Sequence, residues 1–270
     1  MDSPLDISLL QPRIASVARY IAPLREGGSL PALAEADDGY RYAVKLGGGG
    51  HGTKALISEF IGGMLAAAAG LRVPQLIFID LGEDFGRTEA DEEIQDLLRA
   101  SRGRNLGMHF LDGALTWDVA VNRAAPEEAS RIVWLDALLL NIDRTARNTN
   151  MLLWRGALWL IDFGDSLYFH HNWDSWEKAA LSPFPYVKDH ALLPQASRML
   201  EADSVMHTLI TPGLIGSIVE LIPEEWLAKA EPGIAPTEQR RVYTEFLTRR
   251  LDNSKIFTEH AIRARSQLLQ

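Results

Sequence analysis

The sequence predicts an α+β fold in two lobes, a small strand-rich lobe over residues 1–111 and a larger, mainly helical lobe over 112–270. Two patterns carry this reading. Short runs rich in β-branched and aromatic residues, bounded by glycine and proline, concentrate before residue 112, and apolar residues at helical spacing dominate after it. The length of 270 residues, 47% of them hydrophobic, allows a core that needs neither disulfide nor structural metal.

In the first lobe, APLREGG and SLPALAEA read as two strands joined at Gly27-Gly28, and Asp37-Asp38-Gly39 as a hairpin turn into YRYAVKL. A helix follows from about Lys54 to Ala69, stopped by Gly70, and PQLIFIDL reads as a buried strand. On a helical wheel, Leu56, Ile57, Phe60, Ile61, Met64 and Leu65 form one stripe. Glu59, the one acid in KALISEFIGGMLAAAAG, lies off that stripe among Ala55, Gly62, Gly63 and Ala66. Small residues around one carboxylate suit the close approach of another element; the alternative is a solvent-exposed glutamate.

Composition excludes several classes. No run approaches the roughly 18–20 apolar residues of a membrane helix, and MDSPLDISLLQPRIASVARY lacks the layout of a signal peptide, so the reading is cytoplasmic with no membrane partner. The absence of cysteine excludes Cys-ligated zinc, iron–sulfur clusters and thiol catalysis. Lysine and arginine number 27 against 36 acids, a net charge of −9 that repels a phosphate backbone, so no nucleic-acid partner is expected. The arginine-rich tail RRVYTEFLTRRLDNSKIFTEHAIRAR reads as a solvated helix face.

The tripeptide Asp-Phe-Gly occurs twice. The first copy, at Asp84, follows a strand and precedes a helix that Thr88 can cap with Asp91 three residues on, which makes Asp84 a loop acid. The second closes NTNMLLWRGALWLIDFG, where residues 151–154 and 157–161 flank Arg155-Gly156 as a tight hairpin. That register sets Asn148 opposite Phe163, beside Asp162, so the two oxygen-bearing side chains converge as ligands for a hard cation must. Asp143 lies five residues before Asn148. D-x-x-x-x-N followed by DFG on the returning strand of the same hairpin matches a kinase catalytic loop and its metal-binding aspartate.

Phosphoryl transfer is mostly positioning and charge stabilisation, so metal ligands and a proton acceptor are the groups it needs. Asp143 is assigned as the base, and Asn148 and Asp162 as the metal ligands. Lys45, near the end of the strand YAVKL, is the phosphate-facing cation, with Glu59 as its partner. Two glycine-rich loops compete for the phosphates: Gly27-Gly28-Ser29 before the lysine strand, and Gly47 to Gly52 after it, the latter with Lys54 as a further cation. Met108 to Leu111 reads as the strand between the lobes, with Met108 and Phe110 as adenine contacts, or as a plain core strand. His170 and His171, adjacent in an extended segment, would point to opposite faces and so do not form a metal pair; a place near the acceptor and a structural role both remain.

The stretches EADDGYRYAVKLGGGGHGTKALISE, IQDLLRASRGRNLGMHFLDGAL, WLDALLLNIDRTARNTNMLLW, LWLIDFGDSLYFHH and TRRLDNSKIFTEHAIRAR resemble the short bacterial HipA-like kinases, over about residues 27 to 265. The resemblance implies a bilobal protein-kinase-like fold, ATP and Mg2+ as cofactors with adenine in the interlobe cleft, and transfer to a hydroxyl of a protein or small-molecule acceptor. Lys45, Asp143, Asn148 and Asp162 inherit their roles by matching motifs. Arg144 follows the catalytic aspartate where the protein-kinase motif has its arginine before it, and short members of the family often carry histidine where Phe163 stands. A nucleotidyl (AMP) transferase using the same site and a nucleotide-binding pseudokinase are the alternatives.

Overall fold

A computed structural model of the protein describes residues 11–24, 30–49, 52–87 and 89–270. Period-two burial builds the first strands. In β2 (Ala32–Ala36) the three alanines are buried and the residues between them half-buried; in β3 (Arg41–Lys45) Tyr42, Val44 and Lys45 are buried. The two pair antiparallel across a tight turn in which Gly39 takes φ 79°, a conformation glycine adopts without steric cost. β1 (Ile14–Pro23) pairs antiparallel with β2 and parallel with β4 (Leu76–Leu81), and β5 (Gly103–His109) lies antiparallel between β3 and β4. The five strands close into a barrel in the order β1-β2-β3-β5-β4, filled by Ala32, Ala34, Ala36, Tyr42, Val44, Ile77 and Ile79.

The first strand therefore lies upstream of the expected APLREGG. It ends at Pro23, because the β-formers of IASVARYIA precede that proline. Gly27, Gly28 and Ser29 lie outside the described residues, as does Thr88. The helix after the first Asp-Phe-Gly, α2 (Glu92–Ala100), is capped instead by Asp91, whose carboxylate accepts from the backbone N–H of Glu93 and Ile94.

Between β3 and β4, α1 (Gly52–Ala68) is buried on nearly every side. After residue 112 come β6 (Leu115–Thr116), α3 (Pro126–Leu139) and the hairpin of β7 (Met151–Trp154) and β8 (Ala157–Leu160). The three strands form one antiparallel sheet. The hairpin has the expected register, with Arg155 and Gly156 both at positive φ as a two-residue turn requires. The chain ends in α4 (Trp176–Ala180), α5 (Met199–Leu209), α6 (Pro212–Glu220), α7 (Glu224–Ala230), α8 (Pro236–Asp252) and α9 (Lys255–Leu268). None of the described helices is long and apolar enough to cross a membrane.

The tail is not merely a solvated face. In α8, Val242, Tyr243, Phe246, Leu247, Arg250 and Leu251 are buried. Arg250 donates to the carbonyls of Ala137, Leu138, Ala179, Ala180 and Ser182, and burial lowers its pKa to about 9. Five acceptors satisfy a guanidinium that the sequence pattern places on the surface. One continuous core runs from α1, β4 and β5 through α3 and the later helices.

The small-residue face of α1 is where that core is tightest. A Cβ at Gly62 would lie 2.6 Å from the Cβ and Cγ of Phe163, and the atoms nearest to a Cβ at Gly63 would be those of the Leu76 side chain, the closest its tip at 2.7 Å. Overpacking costs about 1–3 kcal/mol, and alanine returns about 0.5–1 kcal/mol over glycine within a helix. Gly62→Ala should therefore lower the melting temperature, while Gly63→Ala, whose neighbour can swing away, should leave it nearly unchanged; a thermal scan of the two variants compares them.

Candidate active site

Lys45 ends β3 with its side chain turned inward to two carboxylates. Its Nζ lies 2.6 Å from Asp162 Oδ1 and 3.4 Å from Glu59 Oε2. Burial works against the ammonium, but the two carboxylates override it and hold its pKa above the ordinary lysine value. For Asp162 burial pushes upward and Lys45 more than reverses it, so this carboxyl lies below its ordinary value. Glu59, 1% exposed, is pushed up by burial and by Asp162. The exposed-glutamate alternative is thus excluded.

Glu59 Oε2 also accepts from the Phe163 N–H at 2.8 Å. That contact is one of a series along α1: Ser58 Oγ donates to the Ser166 carbonyl, Lys54 Nζ donates to the His170 carbonyl, and Gly62 abuts the Phe163 ring. Residues three or four apart on a helix share a face, and this face carries the segment that follows Asp162. The sequence reading of a small-residue face meeting another element holds, and Phe163 is its partner.

Asp143 sits in the loop after α3. Its Oδ2 accepts from Asn148 Nδ2 at 2.6 Å and from Asn150 Nδ2 at 2.9 Å. Burial raises its pKa; Asp165 and Asp162 push the same way, and the two amides oppose them. The β7–β8 ladder continues only as far as the Ile161 N–H bonding to the Asn150 carbonyl. There Asn150 and Asp162 turn into left-handed backbone, φ 48° and 57°. The expected pairing of Asn148 with Phe163 does not form, because Phe163 turns into the core against α1. Asn148 reaches Asp143 instead.

Arg144 is buried and organises this loop. Its Nε donates to Asp136 Oδ2 at 2.6 Å, its Nη1 to the carbonyls of Asn150 and Ile161, and its guanidinium lies 4.9 Å from the centre of the Phe163 ring. Asp136, on α3, also holds the amide of Asn141 at 2.8 Å and His190 Nε2 at 2.9 Å. Burial pushes Asp136 upward, but Arg144 and His190 hold it below the ordinary carboxylate value.

One cleft of about 620 Å³ joins these parts. Lys45, Glu59, Asp143, Asn148 and Asp162 all line it, together with Asn150, Asp165 and an apolar wall of Leu30, Leu46, Leu56, Leu97 and Ala100. Other expected contacts lie elsewhere. Lys54 Nζ is bound to Glu231 at 2.8 Å as well as to the His170 carbonyl. Met108 is buried within β5, and Phe110 lies beneath the Arg41 guanidinium; neither lines the cleft. The loop from Gly47 has its described amides engaged within the protein: Gly47 N–H to Asn105 Oδ1, Gly48 N–H to Ser101 Oγ, Gly49 N–H to the Leu46 carbonyl and Gly52 N–H to the Gly49 carbonyl. Those donors are not available for phosphate, although Gly48, Gly49 and Gly52 form part of the wall.

The two histidines lie in a 3₁₀ turn rather than a strand, with His170 buried and His171 exposed. His170 Nδ1 is 3.2 Å from the Tyr243 hydroxyl, and burial drives its pKa well below the usual histidine value. Asp84, in the first Asp-Phe-Gly, is an exposed loop residue paired with Arg87 at 2.7 Å. Sequence reasoning missed Asn150 and Asp165 as parts of the site, and Arg144 as the buried residue behind it. For Asn150 a signal existed in the repeated Asn of Asn148-Thr149-Asn150.

A strand barrel joined to a helical region, with Lys45, Glu59, Asp143 and the Asp162 of an Asp-Phe-Gly around one cleft, has the form of a kinase-like protein. The fold resembles that of the Helicobacter pylori proinflammatory kinase CtkA, with a TM-score of 0.55 and 16% identity over 92% of this chain and 96% of that one. No curated protein matches the sequence. The family model for HipA-like kinases matches residues 17–259, and the chain belongs to that family.

Removing one partner of a buried ion pair typically costs about 3–5 kcal/mol. Asp136→Asn should lose stability on that scale. Because the Asp136 pKa is depressed on folding, its contribution is complete above the unfolded value, about 3.9, and fades as pH falls through the lower folded value. The difference in melting temperature between wild type and Asp136→Asn should thus stay constant from neutral pH to about pH 4 and shrink below it.

Proposed function

We propose that the chain is an ATP-dependent phosphotransferase that passes the γ-phosphoryl group of ATP to a hydroxyl of a protein or small-molecule acceptor. The observation that supports this best is that Lys45, Asp143, Asn148 and Asp162, from three separate stretches of sequence, line the same cleft. On this reading residues 1–111 form the nucleotide-phosphate lobe, and 112–270 carry the catalytic loop and acceptor surface.

The donor set fits a hard divalent cation. Asp162 and Asn148 offer oxygen ligands in a cleft that also contains Asp143 and Asp165, with Lys45 the one cation among its described lining residues. No group of three acidic or histidine side chains suited to a metal occurs among the described residues. Magnesium needs none, since one or two protein oxygens suffice when phosphates and water complete its shell. Asn148 and Asp162 would hold the ion, which would supply charge neutralisation to the phosphates.

Lys45 binds the phosphates, and Glu59 keeps its ammonium in place. Both amides hold Oδ2 of Asp143, so Oδ1 is assigned the acceptor's hydroxyl proton. The acceptor oxygen then bonds to the γ-phosphorus, the bond to the β–γ bridging oxygen breaks, and ADP leaves. The apolar wall of Leu30, Leu46, Leu56, Leu97 and Ala100 gives the base of the nucleotide a place to stack.

Intact-mass analysis of acceptor fractions incubated with the protein, ATP and magnesium tests this directly. A phosphoryl increment is expected, and an adenylyl increment would establish nucleotidyl transfer instead. Asp143→Asn should leave nucleotide binding nearly intact and lower turnover by about 10² to 10⁴-fold, whereas Lys45→Ala should weaken both. Asp162→Ala should abolish transfer even at high magnesium. Asp84→Ala should retain activity and change stability by no more than about 0.5 kcal/mol. Activity recorded beside melting temperature separates lost chemistry from lost folding.

A further inference from the structure

We infer that Asn150 is a positioning residue of the reaction, fixing the carboxylate of Asp143 so that one oxygen is held by the protein and the other is presented to the acceptor. The inference rests on the kinase reading above and extends it to a residue outside the D-x-x-x-x-N pattern.

Three observations carry it. The Asn150 amide donates to Asp143 Oδ2 at 2.9 Å, the same oxygen that Asn148 holds at 2.6 Å. Asn150 is itself immobilised, 9% exposed, with its carbonyl accepting from both Arg144 Nη1 and the Ile161 N–H. Its backbone is left-handed at φ 48°, a region where asparagine is among the few residues tolerated besides glycine.

The two amides are not equivalent. Asn148 is exposed where it meets Asp143 and is assigned to the metal, so its hold on the base varies with metal occupancy. Asn150 is partly buried in its contact and is tied to the β7–β8 ladder and to Arg144. It therefore supplies a fixed reference that the metal does not disturb. Two donors on Oδ2 set the rotation of the carboxylate, and a positioned base needs that rotation defined before the acceptor arrives. Asn150 touches neither phosphate nor proton in this scheme and acts through Asp143.

The left-handed backbone offers a clean test. Asn150→Gly keeps the conformation and removes only the side chain, and Asn150→Asp keeps the shape but replaces the donor by a second carboxylate facing Asp143. A hydrogen bond to a charged group corresponds to about ten- to a hundredfold in rate. The Gly variant should lose turnover on that scale, measured as ADP released from Mg-ATP, while its Mg-ATP affinity by calorimetry stays within about threefold. The Asp variant should lose more turnover than the Gly variant although it is closer in size to the native residue. Turnover in the Gly variant equal to wild type, or a loss of Mg-ATP affinity matching the loss of turnover, overturns the assignment.

Wild-type protein that binds Mg-ATP and releases no ADP in the presence of the acceptor fractions counts against the kinase reading rather than against Asn150. Crystal structures of wild type and Asn150→Gly then decide the positioning role by themselves. It stands if Asp143 rotates or becomes disordered in the variant, and it falls if the carboxylate superposes on the wild type at full occupancy.

Discussion

The site depends first on a buried ion pair that never touches it. Arg144 and Asp136 meet at 2.6 Å with both side chains almost wholly excluded from solvent. Charges so buried persist only when their remaining hydrogen-bonding capacity is largely met. Here Asn141 and His190 complete Asp136, and the carbonyls of Asn150 and Ile161 engage Arg144. The contacts of one guanidinium thus draw together the end of α3, the loop that carries Asp143, the residues at the open end of the β7–β8 hairpin and, through its face, Phe163. Asp143 is the neighbour of Arg144 in sequence, so the position of Asp143 follows from how Arg144 is held through Nε and Nη1, with Nη2 left buried and unpartnered.

The second constraint is electrostatic. Asp143, Asp162, Asp165 and Glu59 share a cleft with Lys45 in a chain whose net charge is −9. Lys45 is held by two of these carboxylates, which is why its charge survives burial. Under the proposed function, a triphosphate entering alone would meet net repulsion, which a divalent cation held by Asn148 and Asp162 would reverse. Left-handed backbone at both Asn150 and Asp162 places two uncommon conformations at the mouth of the same hairpin, where surrounding contacts hold them.

Much of this was legible in the sequence because it depends on local spacing. The hairpin register follows from Arg155-Gly156, the strand carrying Lys45 from the turn at Asp37-Asp38-Gly39, and the small-residue face around Glu59 from the helical wheel. What escaped was set by long-range packing. Nothing in helical periodicity reveals that Arg250 ends among five carbonyls, or that Lys54 is drawn 177 residues along the chain to Glu231. The glycines after Lys45 look like a phosphate loop because glycine permits a nest, but Asn105 and Ser101 already occupy two of their amides. Likewise Met108 and Phe110 were assigned by their order along the chain, while the apolar wall is completed by Leu97 and Ala100 of α2, from the segment between β4 and β5. Arg144 carries a sequence signal only in its place after the aspartate, and its buried role depends on Asp136, eight residues away on α3.

Under the proposed function, this cleft needs a cation before it accepts nucleotide. Calorimetric titration of the wild-type protein with ATP, once with magnesium and once with excess chelator, measures that need. Strong binding with magnesium and a large loss of affinity without it is the predicted result. Equal affinity in both titrations would contradict the assignment of Asn148 and Asp162 and the function built on them.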